Sequence, residues 1–245
     1  MKTTNSTVLI TGGGAGIGFS IAEKFSKLGN TVIIAARNEE RLMKASAQLK
    51  NTTAIVADVT NEGDLDNLVA RVKKDFGGID ILINNAGVLN PVRPGESNYD
   101  NGKLEFEVNF FSVIRLIDKM IPLLNEKKES AIVNVSSGTA YITLIGAATY
   151  CASKAALHSY TQNLRLSLER TGSTIKVFEV MPAYVETDMV AGLNVPKISA
   201  SEVADDLLHA MSVDQFEIHN GETKEYYGLY LSSPDNAIRQ FNSRG

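Results

Sequence analysis

Tyr150 and Lys154 stand four residues apart, and Ser137 lies thirteen residues before the tyrosine. On a helix, residues i and i+4 share a face, so this spacing puts the Lys154 ammonium beneath the Tyr150 phenol. A phenol with a cation beside it becomes a usable acid or base, able to exchange a proton with an alcohol or carbonyl oxygen. A serine hydroxyl at the same oxygen would stabilise the charge that grows there. This is the equipment of hydride transfer at a carbon bearing oxygen. Spacing alone does not specify it, because Tyr99 and Lys103 are also four apart. Asp100-Asn101-Gly102 between them reads as a turn, so no helix is expected to align that pair. Cys151, the single cysteine, sits inside the Tyr150 motif and reads as a small buried hydrophobe, not a redox group.

A nicotinamide cofactor for that chemistry has a place near the N-terminus. Thr11-Gly12-Gly13-Gly14-Ala15-Gly16-Ile17-Gly18 follows the apolar Val8-Leu9-Ile10 and opens a segment of helical period. Missing side chains let the backbone approach a pyrophosphate, whose charge the free N–H groups and dipole of a helix N-terminus favour. The spacing Gly12-x-x-x-Gly16-x-Gly18 departs from the general G-x-G-x-x-G fingerprint. After the second apolar run, where an acidic residue usually meets the adenosine ribose of NAD, the chain reads Ala35-Ala36-Arg37-Asn38. With no carboxylate and an arginine in its place, Arg37 suits a 2′-phosphate, Asn38 is expected at the cofactor beside it, and NADP is expected over NAD. Glu39 and Glu40 read as first-turn helix residues.

The elements that must hold these residues alternate along the chain. Strands are predicted at Val8 to Ile10, Thr31 to Ala35, Thr53 to Ala57, Ile79 to Ile83, Ala131 to Ser136, Ile175 to Met181 and Phe216 to Ile218. Helices are predicted at Ile17 to Leu28, Asn38 to Leu49, Asn61 to Phe76, Lys103 to Asn125, Tyr150 to Arg170 and Ser201 to Met211. Strands alternating with helices imply an α/β Rossmann fold, a doubly wound, mostly parallel seven-stranded sheet with helices on both faces. Residues 1–245 are read as one such domain. Asn90 to Asn101, rich in turn residues, could border a substrate entrance or be plain surface loop. From His219 onward the pattern specifies little.

Composition narrows the function classes. The 245 residues carry a formal charge of −4, so neither nucleic acid nor an anionic membrane surface is an expected partner. No segment reads as a signal peptide or a membrane span, and one cysteine suits a reducing compartment, so the cytoplasm is expected. His158, His209 and His219 lack metal-ligand spacing, the first two falling on presumed helix surfaces, and no metal is expected.

From Thr7 to about Met189 the chain resembles the short-chain dehydrogenase/reductase family, with its major motifs in order. The resemblance implies an NAD(P)-dependent enzyme whose glycine turn (Gly12, Gly16, Ile17, Gly18) holds the pyrophosphate. It implies that Asp58 and Val59 contact adenine, and that Asn85, Ala86 and Gly87 form a cofactor-side loop. The catalytic tetrad would be Asn109, Ser137, Tyr150 and Lys154. Tyr150 would act as acid or base and Ser137 would polarise the carbonyl. Lys154 would lower the tyrosine pKa and hold the nicotinamide ribose, while Asn109 would hold a water of the proton relay. Strand alternation sends Ser136 and Ser137 to opposite faces, and the family spacing selects Ser137. Pro182-Ala183-Tyr184-Val185-Glu186-Thr187 resembles the family's Pro-Gly-x-Val-x-Thr, implying nicotinamide contacts from Pro182, Val185 and Thr187. Ala183 departs from the family glycine and would be strained if the position needs positive φ. Met1 to Gly14 and Tyr150 to Arg165 are similar to the DltE-like branch. The C-terminus lacks the familiar glycine-rich ending.

The resemblance also implies a homodimer through the helices Lys103–Asn125 and Tyr150–Arg170, and leaves a tetramer open. Tyr141, Ile142, Leu144, Ile145, Tyr184 and Met189 suggest a small or medium, largely uncharged carbonyl substrate, unless Ile142 or Leu144 fills core. A catalytically weak cofactor-binding sensor or interaction module on the same fold is the alternative.

Overall fold

The computed structural model describes residues 1–93 and 95–243. Its centre is a seven-stranded, wholly parallel sheet: β1 (Thr7–Thr11), β2 (Thr31–Ala36), β3 (Thr52–Val56), β4 (Ile81–Asn84), β5 (Ser130–Val135), β6 (Ile175–Pro182) and β7 (Glu217–Asn220). They lie in the order β3-β2-β1-β4-β5-β6-β7. The chain winds outward from β1 in one direction through β3, then returns to β4 on the other side of β1. That reversal leaves a crevice beyond the carboxyl ends of β1 and β4, where open α/β sheets bind their ligands.

Strand alternation divides the interior into two cores. Val8, Ile10, Val32, Ile34, Ile81 and Ile83 face α1 (Gly16–Lys27), α2 (Glu39–Ala47) and α7 (Ala200–Ser212), packing with Phe25, Leu42 and Leu207. Their neighbours Leu9, Ile33, Leu82 and Ile132 point the other way, to α3 (Glu62–Phe76), α5 (Ser112–Asn125) and α6 (Ala148–Arg170), packing with Leu68, Ile117 and Leu157. Helices cover both faces, so the strands need apolar residues on both.

The predicted strands differ from those observed by one or two residues at their ends. The long helix predicted from Lys103 to Asn125 is instead α4 (Tyr99–Phe106), a π-helical turn (Glu107–Phe111) and α5. The turn expected at Asp100-Asn101-Gly102 is also corrected, since these residues are helical within α4. Gly102 serves close packing there: a Cβ on it would lie 2.8 Å from Thr149 Cγ2 on α6. Past β7, where the sequence pattern specifies little, the chain forms α8 (Thr223–Ser232) and α9 (Pro234–Asn242). Tyr226 and Ala237 of these helices bury Ile142 in a separate small core, and Asn242 Nδ2 donates to Thr143 O at 2.8 Å. Among the described residues no helix is long and apolar enough to cross a membrane.

Candidate active site

Ser137, Tyr150 and Lys154 line one cavity of about 950 Å³. β5 delivers Ser137 just beyond its end, and α6 opens two residues before Tyr150, so phenol and ammonium lie in its first two turns. Lys154 is 4 % exposed; its Nζ donates to Val135 O at 2.9 Å and lies 5.8 Å from the Tyr150 ring centre. A Cβ on Gly87 would stand 3.3 Å from Asn109 Oδ1, closer than ordinary packing, and 3.5 Å from Lys154 Nζ, an ordinary contact. Burial brings the Lys154 pKa down to about 8, against the opposing charge of Glu179. Burial pushes the Tyr150 phenol up to about 12, with only a hydrogen bond from Ser137 working the other way. In the protein alone, taking the phenolate out of water is the larger effect and leaves the phenol above its ordinary value, where Lys154 is expected to lower it.

The decoy pair fails on exposure, not on helix geometry. Lys103 Nζ does lie 4.5 Å above the Tyr99 ring, but that ring is 73 % exposed on the outside of α4.

Asn109 does not reach the cavity. It lies in the π-helical turn, wholly buried, where Oδ1 accepts from Val88 N at 2.8 Å and Nδ2 donates to Val88 O at 2.9 Å and Ser153 Oγ at 3.0 Å. It braces the loop after β4 against α6. Asn85 likewise holds backbone: its Nδ2 donates to Thr11 O at 3.0 Å and Gly12 O at 3.3 Å, fixing the glycine turn.

That turn fits an anionic dinucleotide. Gly12 and Gly16 have φ of +67° and +52°, and a Cβ on Gly18 would lie 2.4 Å from Asn85 Nδ2 and 2.5 Å from Gly12 O. No side chain caps the N-terminus of α1, and no acidic residue occupies its first turn. The uncapped end keeps its N–H groups and positive dipole for an anion. Beside it a second cavity of about 530 Å³ is lined by Gly12, Arg37, Asp58, Val59, Ala86 and Gly87 among others. Burial opposes ionisation of Asp58, but two hydrogen bonds from Thr60 and the Arg37 charge outweigh it and hold the carboxyl below its usual range. The Asn38 side chain caps α2, accepting from Arg41 N at 2.9 Å.

Ile17, Pro182, Val185 and Thr187 line the first cavity with Ser137, Tyr150 and Lys154. Ala183 carries no strain, since the non-glycine residues of positive φ among those described are Asn5, Asn51 and Asp214. Of the apolar residues after Ser137, Ile142 is 2 % exposed and belongs to the small C-terminal core, while Ile145 is 68 % exposed at the rim. Leu89 and Pro91 line the outer mouth, so the loop after β4 does border the entrance; Pro94 within it lies outside the described residues. Cys151 is buried, its sulfur accepting from Leu144 N at 3.2 Å.

Three contributions were not foreseen. Thr223, Tyr226 and Tyr227 of α8 and Phe241 of α9 wall the cavity, and no glycine or chemical motif announces them. The second is beneath it: His158, expected on a helix surface, has only 13 % of its side chain exposed and places Nδ1 2.8 Å from Oε2 of wholly buried Glu179. The other carboxylate oxygen accepts from Ser136 Oγ at 2.5 Å. His158 lies one helical turn beyond Lys154, a spacing that the i, i+4 rule makes visible once Glu179 is known to face α6. The third is a bridge across the cleft, where Arg41 on α2 pairs with Asp188 at 2.6 Å.

Comparison with known proteins agrees with this geometry. The family pattern described as short chain dehydrogenase matches residues 6–197. An oxidoreductase of Bacillus subtilis (strain 168), called DltE and described as uncharacterized, is 34 % identical, spanning 100 % of this chain and 99 % of that one. A likewise uncharacterized oxidoreductase of Staphylococcus epidermidis is 31 % identical over 86 % of this chain and 93 % of its own. Among solved structures, a short chain dehydrogenase from Burkholderia cenocepacia in complex with NADP superposes with a TM-score of 0.87 at 26 % identity, covering 98 % of each chain. One from Burkholderia phymatum in complex with NAD gives 0.88 at 22 % identity, covering 99 % of this chain and 97 % of that one, a likeness of fold.

Proposed function

The chain belongs to the short-chain dehydrogenase/reductase family, and on that premise we propose that it is an NADP-dependent oxidoreductase acting on a small or medium, uncharged carbonyl compound or its alcohol. One observation carries the reading: Ser137, Tyr150 and Lys154 share a cavity, with the glycine turn and the Arg37 cavity beside it. When bound, the nicotinamide cofactor supplies or takes the hydride. Tyr150 donates a proton to the substrate oxygen in reduction and recovers it in oxidation. Ser137 hydrogen-bonds the same oxygen and stabilises its developing charge. Lys154 holds the nicotinamide ribose. Gly12, Gly16 and Gly18 admit the pyrophosphate, Arg37 meets the 2′-phosphate, and Asp58 and Val59 border the adenine. Asn109 supports the relay by fixing the loop that carries Gly87 beside Lys154.

The substrate class follows from the walls. Among the described residues the cavity lining has one charged side chain, Lys154, and is otherwise mainly apolar and aromatic, which suits a neutral ligand. We further propose a homodimer. Leu104 on α4, Phe111 in the π-helical turn and Leu166 on α6 are 43 %, 46 % and 60 % exposed, and apolar helix surfaces of this kind call for cover.

Incubating the purified protein with NADPH or NADH and a panel of ketones, aldehydes and quinones tests the central reading, with oxidation of the reduced nicotinamide followed by absorbance. Turnover with NADPH is the expected result. A protein that binds NADPH yet oxidises it with none of these substrates would contradict it.

A further inference from the structure

The cavity that holds Ser137 and Tyr150 continues into a second chamber. Leu89, Leu144, Tyr184, Leu193 and Phe241 line both, so they form a collar where the two spaces adjoin. Beyond the collar lie Pro91, Ile145, Val195 and Pro196, and Glu222 is the one charged residue of the outer lining among those described. The outer chamber has a volume of about 1170 Å³ with its solvent mouth included.

The collar is built, not left over from loose packing. Tyr184 and Phe241 stack with ring centres 5.8 Å apart and planes 4° from parallel. Asn242, next to Phe241 at the end of α9, accepts from Ile145 N at 2.7 Å and donates to Thr143 O at 2.8 Å, tying the C-terminal helix to the opposite rim. Ile145 and Leu193 nonetheless remain 68 % and 42 % exposed. A chamber held open with apolar walls gains by enclosing an apolar ligand.

We propose that the outer chamber is a subsite for the apolar tail of an elongated, neutral carbonyl or alcohol substrate, whose oxygen-bearing carbon lies at Ser137 and Tyr150. The placement of the reacting end rests on the oxidoreductase reading above; the tail subsite is a statement about binding alone.

Titration calorimetry of the protein in saturating NADP with hexanone, octanone and decanone tests it. Each added methylene should tighten binding by about threefold to fourfold while the chamber fills. Val195→Trp, which narrows the chamber, and Ile145→Glu, which charges its rim, should remove that gain and leave hexanone and NADP affinities unchanged. Wild-type affinity that does not rise with chain length overturns the subsite, as does a rise that persists in both variants. Turnover of the same ketones with NADPH separates the two readings. Hydride transfer without any chain-length dependence of binding leaves the oxidoreductase standing and removes the tail subsite. Chain-length-dependent binding, lost in the variants but without hydride transfer, supports the subsite and counts against the oxidoreductase.

Discussion

His158 Nδ1 lies 2.8 Å from Oε2 of Glu179, a carboxylate with no exposed surface on β6, the strand beside β5, beyond whose end Ser136 and Ser137 lie. Burial draws the imidazolium pKa down, but the hydrogen bond and charge of Glu179 outweigh it and raise His158 above 6.5. Tyr141, just after the 3₁₀ turn Gly138–Ala140, packs edge-on against the same imidazole at 4.7 Å between ring centres. Arg165 on α6 and Glu217 on β7 act on it weakly and with opposite signs. A group raised on folding adds stability that is complete below its unfolded pKa and fades as pH climbs through its folded one. The pair's contribution should therefore be full below about pH 6.5 and decline above it.

His158→Gln should flatten that decline and cost about 3 kcal/mol at lower pH, the low end for breaking a buried ion pair, because the imidazole is partly accessible. Thermal unfolding followed across pH measures both. An identical pH slope in wild type and variant would show that the pair does not govern it.

Tyr150, pushed up to about 12 by burial, keeps its proton throughout the neutral range in the protein alone. It is thereby ready to act as an acid, so carbonyl reduction should vary little with pH near neutrality, whereas alcohol oxidation, which needs the phenolate, should accelerate as pH rises. Tyr150→Phe should lower turnover at least about a hundredfold while leaving NADPH affinity nearly unchanged. Near-native turnover in that variant would remove Tyr150 from the proton-donor role.

The alternation of apolar runs with helical segments made the sheet legible, and fixed spacing made the Ser137, Tyr150 and Lys154 cluster legible. Both are local signals. What stayed hidden depends on contacts between distant segments. Gly102 looks like a turn residue until Thr149 is seen against it. Glu179 in a strand gives no sign that His158 and Ser136 will neutralise and bind it from two other elements. The C-terminal helices are short and placed by packing, Tyr226 and Ala237 against Ile142, so propensity alone leaves them indistinct. The cavity walls from α8 and α9 were illegible for the same reason.

Assembly should follow from α4, the π-helical turn and α6. Phe106, Phe110 and Phe111 form a ring cluster there, with Phe111 46 % exposed and Leu166 60 % exposed. Sedimentation at micromolar concentration should give a dimer, and Phe111→Glu combined with Leu166→Glu should shift it toward monomer by placing like charges on a face that apolar contact would cover. A wild-type protein that sediments only as monomer would contradict the proposal.

Cofactor choice should rest on Arg37. It lines the adenosine-side cavity and carries its charge to Asp58, whereas the nearby Arg41 is engaged with Asp188 at 2.6 Å. Asp58 in turn is held by Thr60, whose N and Oγ1 donate to Oδ1 at 2.9 Å and 2.8 Å. An arginine in that position gains a charge-assisted contact with a 2′-phosphate that a ribose hydroxyl cannot supply, worth about tenfold to a hundredfold in affinity. NADPH should accordingly bind more tightly than NADH, and raising the salt concentration should weaken NADPH more, because screening acts on the extra phosphate. Arg37→Asp should erase or reverse the preference, since a carboxylate repels the phosphate and accepts from the free hydroxyl. Fluorescence titration of both cofactors against both proteins decides it, and equal wild-type affinities with equal salt dependence would defeat the assignment to Arg37.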